Sequence, residues 1–157
     1  AGAMFGSWLC YLTYLDHYKA TGDEDTVRGT FCTAPAIRNF KNNFLTELIG
    51  TFMLVFGVLF IVGPNIEISG SEIQNFGLGS LDALPVGILV WVIGMALGGA
   101  TGYAINPARD FGPRLMYQLL PRKNKKADWS YSWVPILGPI TGSVLAGMAF
   151  LVLKAIA

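Results

Sequence analysis

Gly102-Tyr103-Ala104-Ile105-Asn106-Pro107-Ala108-Arg109-Asp110-Phe111-Gly112-Pro113-Arg114 sets a helix start, an amide and an arginine in the middle of a chain that is otherwise mostly apolar helix. Asn106 stands at the cap position and Pro107 at the first helical position, where its missing N–H costs nothing. The Asn106 side-chain oxygen is then placed to accept a backbone N–H of the helix it opens. Polar groups of this kind are expensive inside a membrane and usually functional. Irregular backbone at that depth survives only where it lines a cavity or is packed in protein. The stretch therefore reads as part of a pore or permeation path.

Working outward, the rest of the chain supplies the membrane helices this reading needs. Of 157 residues, 53% are hydrophobic and 13% charged. A soluble domain carries roughly twice that charged fraction. Phe44 to Val62 reads as a span with Glu47 as its only charge, Leu84 or Pro85 to about Gly99 as a second, and Trp133 to Leu153 as a third. Ala1 to Leu15 is apolar and aromatic but short of the about 20 residues a crossing needs. It starts without Met and in mid-pattern, so the front of a helix is expected to be missing. Asp16–Asn43, Gly63–Ala83 and Pro121–Ser132 read as loops. The apolar part of the central stretch, Phe111 to Leu120, is about half a bilayer long, which fits a re-entrant half-helix better than a crossing helix.

Small residues recur four apart at Gly94, Gly98 and Gly102 and at Gly138 and Gly142, a spacing that lets membrane helices pack closely. Net charge is +1, so nothing marks a nucleic-acid surface. No basic n-region precedes the apolar opening, and no signal peptide is read. Cys10 is expected buried in a helix and Cys32 in a loop, both as free thiols. No Ser-His-Asp set, metal cluster or phosphate loop is present, so neither catalytic residue, metal nor cofactor is expected. His17 is expected at the surface.

The chemistry of the central stretch follows from its geometry. With its oxygen committed to the cap, the Asn106 amide turns its NH2 donors toward a lumen. The positive end of the half-helix dipole lies at the same spot and disfavours cations. Arg109, three residues on, keeps its charge at any relevant pH and donates hydrogen bonds to hydroxyls; capping local carbonyls or pairing with Asp110 is the alternative. Asp110 and Arg114 are four apart on one face, as an ion pair requires. Glu47 is either a proton relay or a buried acceptor for loop backbone N–H groups.

These residues resemble the major intrinsic protein family, the aquaporins and glycerol facilitators. Gly102 to Arg114 looks like the second Asn-Pro-Ala box of a bacterial glycerol facilitator, and the likeness extends over essentially the whole chain. The fold implied is an all-α membrane protein, an aquaporin-like right-handed helical bundle. Only its second repeat is represented: the end of the third span, spans four to six and the re-entrant half-helix. Residues 1–157 would be a partial channel domain lacking the first Asn-Pro-Ala box. Asp110 after the arginine, its basic partner Arg114, Pro135-Ile136 and Tyr11 are glycerol-channel choices. The resemblance gives the filter Asn106, Arg109, Tyr103 and Gly94. Glycine at 94 widens the constriction, and Tyr103 stands where such channels usually carry Phe. Backbone carbonyls of Gly102, Tyr103 and Ala104 would accept from the permeant. Pro107, Ala108, Glu47, Asp110 and Arg114 would support the segment.

The resemblance implies a multi-pass protein of the cell membrane, a homotetramer with one pore per subunit, passing glycerol and similar small neutral solutes such as dihydroxyacetone, urea, lactic acid, hydrogen peroxide or water. It places the 16–43 and 121–132 loops outside, whereas the lysines of Pro121–Ser132 would put that loop inside. Such channels are built from inverted repeats meeting at the midplane, so this chain alone is expected to form no sealed pore. An ion- or proton-coupled transporter using Glu47 and Asp110, and a non-conducting fragment needing a complementary half, are the alternatives.

Overall fold

Lipid offers no partner to a backbone N–H or C=O, so apolar runs of membrane length satisfy themselves as helices. In the computed structural model, which describes residues 1–61, 65–66, 74–75 and 81–156, three helices are long and apolar enough to cross a membrane. These are α4 (Phe40–Phe60), α5 (Leu84–Thr101) and α7 (Val134–Ile156). With 21, 18 and 23 residues they measure about 27–35 Å at 1.5 Å per residue. The remaining helices are α1 (Gly2–Thr13), α2 (Leu15–Ala20), α3 (Glu24–Gly29) and α6 (Pro107–Leu119). Between α4 and α5, β1 (Asn65–Ile66) and β2 (Gln74–Asn75) pair antiparallel. The rest of the expected Gly63–Ala83 loop lies outside the described residues, apart from 81–83.

Three expectations about the first third are corrected. The stretch 16–43 is not a plain loop, since all of α2 but Leu15 and the whole of α3 lie within it. Asp23 caps α3 by accepting from Asp25 N at 3.1 Å and Thr26 N at 3.2 Å. The first span also starts earlier, at Phe40, because Asn39 accepts from Asn42 N at 3.2 Å and donates its own N–H to Asn43 Oδ1 at 2.9 Å. Cys10 is exposed, not buried; α1 buries only Tyr11. Cys32 is buried in the loop after α3, and both thiols are free. His17 is exposed, as expected.

The glycine spacings divide. Gly138 and Gly142 do what close packing requires: a Cβ at 138 would lie 2.8 Å from Glu47 Cβ, and one at 142 would strike the Leu48 carbonyl. On α4, Gly50 and Gly57 give the same freedom toward Leu97 and Leu89 of α5. Gly94 and Gly98 do not serve a helix contact; both face the ring of Tyr103.

α1–α3, the C-terminal end of α6 and the 121–132 loop form a cap at one end of the bundle. Its core is Tyr11, Tyr18, Val27, Phe31, Tyr117, Leu120 and Ala127. Aromatic rings run through it as a column, Tyr11–Tyr18–Phe31–Tyr117, with centroids 5.3, 5.6 and 5.5 Å apart. α5 ends at this cap, where Ala100 O accepts from Ala36 N at 3.1 Å. From there residues 102–106 dip back, and α6 returns to the cap. With 13 residues, α6 is about 20 Å long and cannot cross a hydrocarbon core of about 30 Å.

Candidate functional site

The dip is made possible by a break in backbone handedness. Gly102 terminates α5 at φ 77°, and its N–H still donates to Gly98 O. Tyr103 and Ile105 follow at φ 40° and 42°, a region that ordinary L residues enter only at a cost. Glu47 holds them there. Its Oε1 accepts from Thr101 Oγ1 at 2.6 Å and Ala104 N at 3.0 Å, and its Oε2 from Ile105 N at 2.7 Å. All of these groups are buried, and the carboxylate has the role of a strut. Ile105 is seated against Gly50, whose Cβ would be 2.9 Å from Ile105 Cγ2. That is about 15 Å along α4 at 1.5 Å per residue, which measures the depth of the dip. No donor among the described residues reaches the carbonyls of Gly102, Tyr103 or Ala104.

Asn106 caps α6, its Oδ1 accepting from Ala108 N at 2.9 Å with Pro107 behind it as the first helical residue. The Asn106 amide is exposed, and its NH2 meets no acceptor among the described residues. Arg109, three residues on and hence on the same side of the helix, is also exposed and forms no hydrogen bond or ion pair among them. It lines an open cavity of about 380 Å³ with Ser7, Cys10, Phe31 and Pro113. The Tyr103 ring lies flat across two glycines: a Cβ at Gly94 would stand 3.1 Å from its Cε2 and Cζ, and one at Gly98 3.0 Å from its Cδ1.

Behind this face, Asp110 and Arg114 are fully buried as a bidentate pair, Nε to Oδ1 at 2.7 Å and NH2 to Oδ2 at 2.9 Å. The guanidinium's remaining donors reach Thr33 O at 2.8 Å, Ala127 O at 2.5 Å and Asp128 O at 3.0 Å. Asp110 Oδ2 also accepts from Thr33 N and Thr33 Oγ1, both at 2.7 Å. A buried pair with every hydrogen-bonding position filled holds its geometry well, and a half-satisfied one would be costly. Arg109 does not take Asp110 as its partner, because both oxygens of that carboxylate are engaged by Arg114 and Thr33.

Sequence reasoning did not single out Thr33. Its partner lies 77 positions away, and no spacing rule links them. Nor did it foresee how the two cap loops join. Arg122 NH2 pairs with Glu24 Oε1 at 2.5 Å, Tyr117 OH donates to Glu24 Oε2 at 3.0 Å, and Arg38 forks onto Asp128. Arg122 pulls the Glu24 carboxyl below its ordinary range, with Tyr117 adding to the effect, and Arg38 does the same to Asp128. These clamps put the 16–43 and 121–132 loops at one end of the molecule, as the resemblance implied.

Comparison with known proteins agrees with this architecture. The family model described as major intrinsic protein matches residues 1–150, and the chain belongs to the major intrinsic protein family. A protein of Thermotoga maritima named as a probable glycerol uptake facilitator is 53% identical over 150 residues, covering 95% of this chain and 59% of its own length. Glycerol uptake facilitator protein 3 of Lactiplantibacillus plantarum is 47% identical over 155 residues, with coverages of 98% and 60%. A D/L-lactic acid transporter of the same organism is 44% identical over 150 residues, with coverages of 92% and 58%. The X-ray structure of the aquaglyceroporin from Plasmodium falciparum superposes with a TM-score of 0.70 at 28% identity, covering 92% of this chain and 57% of that one. This chain thus spans about three fifths of the curated relatives it matches. It is a multi-pass integral membrane protein with the aquaporin-like fold.

Proposed function

We propose that this chain supplies the second inverted repeat of a passive channel for glycerol and other small uncharged solutes, water included, in a homotetramer with one pore per subunit. One observation carries the reading: the amide of Asn106 and the guanidinium of Arg109 stand on one side of a half-helix start with their donors uncommitted among the described residues. Donors held by a rigid cap bind hydroxyls in passing, and the arginine charge with the helix dipole repels cations. The carbonyls of 102–104 are the complementary acceptors. The Tyr103 ring offers an apolar wall for the CH face of a polyol. The lactic acid transporter among the relatives supports a filter admitting small neutral solutes as a class.

The carboxylates that a proton-coupled mechanism would use are both occupied. Glu47 accepts three buried donors and Asp110 four. Flux through proteoliposomes holding the complete pore is therefore expected to follow the glycerol gradient alone, unchanged by a pH gradient or membrane potential. Accumulation of glycerol against its gradient when a pH gradient is imposed would overturn the proposal. The 157-residue chain by itself is expected to give no selective flux, because the opposing wall belongs to the other repeat.

A further inference from the structure

Building on that reading of the pore, we propose that Thr33 is a positioning residue that sets the size cut-off of the filter. Every polar group of Thr33 is spent on the buried pair: its N–H and Oγ1 both donate to Asp110 Oδ2, and its carbonyl accepts from Arg114. Its methyl faces Gly102, where a Cβ would lie 3.3 Å from Thr33 Cγ2 and 3.4 Å from Cβ. Three residues on, Ala36 N donates to Ala100 O at the end of α5. The 33–36 strap therefore ties the first turn of α6 to the last turn of α5, and these are the two ends of the dipping segment. Glu47 fixes that segment from the bundle side, and Thr33 fixes it from the cap side. Arg109 precedes Asp110 and Tyr103 follows Gly102, so the donor and the aromatic wall are each one residue from a group that Thr33 touches. Removing the hydroxyl takes one of three donors from Asp110 Oδ2 and so weakens the anchor of the strap whose Cγ2 and Cβ back Gly102, without touching any group that faces the lumen.

The test compares T33V, which keeps the shape and loses the donor, with T33S, which keeps the donor, in the complete pore. Permeabilities of glycerol and of the four-carbon polyol erythritol are measured by light scattering. Loss of one of the three donors to Asp110 Oδ2 is expected to raise the erythritol-to-glycerol ratio about three- to tenfold in T33V, and less in T33S, which keeps the donor and gives up only the Cγ2 contact with Gly102. Fewer folded channels would lower both permeabilities together and leave the ratio alone. Amide exchange gives a reading independent of flux: Gly102–Ile105 exchange faster in T33V, and the α7 amides stay protected. Should T33V lose the α7 protection, T33C, with a weaker donor of similar size, takes its place. An unchanged ratio with unchanged exchange at 102–105 overturns the proposal, as does a T33S ratio above that of T33V. A parent that passes no glycerol defeats the channel reading, and exchange at 102–105 still decides the role of Thr33.

Discussion

Adding one methyl group at Gly94 or Gly98 is expected to close the pore to polyols before it closes it to water. An alanine Cβ would lie 3.1 Å from the Tyr103 ring at position 94 and 3.0 Å from it at position 98. Ordinary carbon–carbon contacts sit at about 3.5–4.0 Å, so the ring has to give by a few tenths of an ångström. Its backbone cannot yield, because Gly102 N is bound to Gly98 O, and Ala104 N and Ile105 N are bound to Glu47. Tyr103 is 39% exposed, so its ring is expected to move on the open side, into the space that the proposed channel gives the solute. Overpacking of this kind costs about 1–3 kcal/mol. If the passing solute must push the ring back, a barrier of that size slows it about tenfold for each 1.36 kcal/mol.

Glycerol permeability of G94A/G98A is thus expected to fall about tenfold or more, while the narrower water molecule keeps most of its flux. Stopped-flow light scattering of proteoliposomes, normalised to protein content, reads both. The control is the same pair of alanines in a Y103A background, where no ring remains to be lifted and the glycerol-to-water ratio should return to that of Y103A alone. A ratio unmoved in G94A/G98A, or lowered equally in both backgrounds, would refute the argument that the two glycines act through the tyrosine.

Three further outcomes follow from the buried carboxylates and the cap. E47Q leaves three buried donors competing for a single amide oxygen, so the thermal midpoint in detergent should drop with a loss of about 3 kcal/mol or more and glycerol flux should vanish; an unchanged midpoint with a new pH dependence of flux would favour the relay reading of Glu47. R114L strands Asp110 and should cost about 3–5 kcal/mol, while D110L/R114L loses less than the sum of the two single variants in the same unfolding assay. Glu24 and Asp128 titrate below their ordinary range in the folded state, so their clamps stabilise fully above the unfolded carboxylate value of about 4 and lose that contribution as pH falls through the folded values. Thermal stability should therefore fall below about pH 4, and E24Q should lower it at neutral pH and flatten the acid limb.

The spans were legible because length and apolarity alone decide them, and the half-helix because Asn106-Pro107 is a cap signal inside a polar break in that pattern. Asp110–Arg114 was legible as an i,i+4 pair, and Glu47 stood out as the single acid of its span, with proton relay and backbone acceptor both open. What could not be read falls into two kinds. α2 and α3, of six residues each, are too short for a hydrophobic period to register, although Asp23 before Glu24-Asp25-Thr26 is a recognisable cap. The other kind depends on partners distant in sequence. A glycine four residues from another serves a neighbouring helix or an aromatic ring equally well, and only the fold assigns Gly138 and Gly142 to the first role and Gly94 and Gly98 to the second. Thr33 belongs here too, since the loop holding it carries no period and its carboxylate arrives from α6.

The same distant partners explain why a strained backbone persists at the site. Tyr103 and Ile105, at φ 40° and 42°, each cost about 1–2 kcal/mol in the left-handed region. That strain relaxes unless the surroundings over-determine it. Two backbone N–H donors from this segment reach Glu47, and hydrogen bonds to a charged group contribute about 1.5–3 kcal/mol each, enough to offset the strain. The consequence is chemical. A segment whose N–H groups at 104 and 105 are drawn to one carboxylate leaves the carbonyls of 102–104 without donors among the described residues, and under the proposed channel reading these are the acceptors offered to a hydroxyl-bearing solute. A relaxed 102–106 segment would free Glu47 of its donors and fold those carbonyls back onto the protein. Under the channel reading proposed above, the acid buried in α4 would act on permeation through the backbone it holds, without facing the solute.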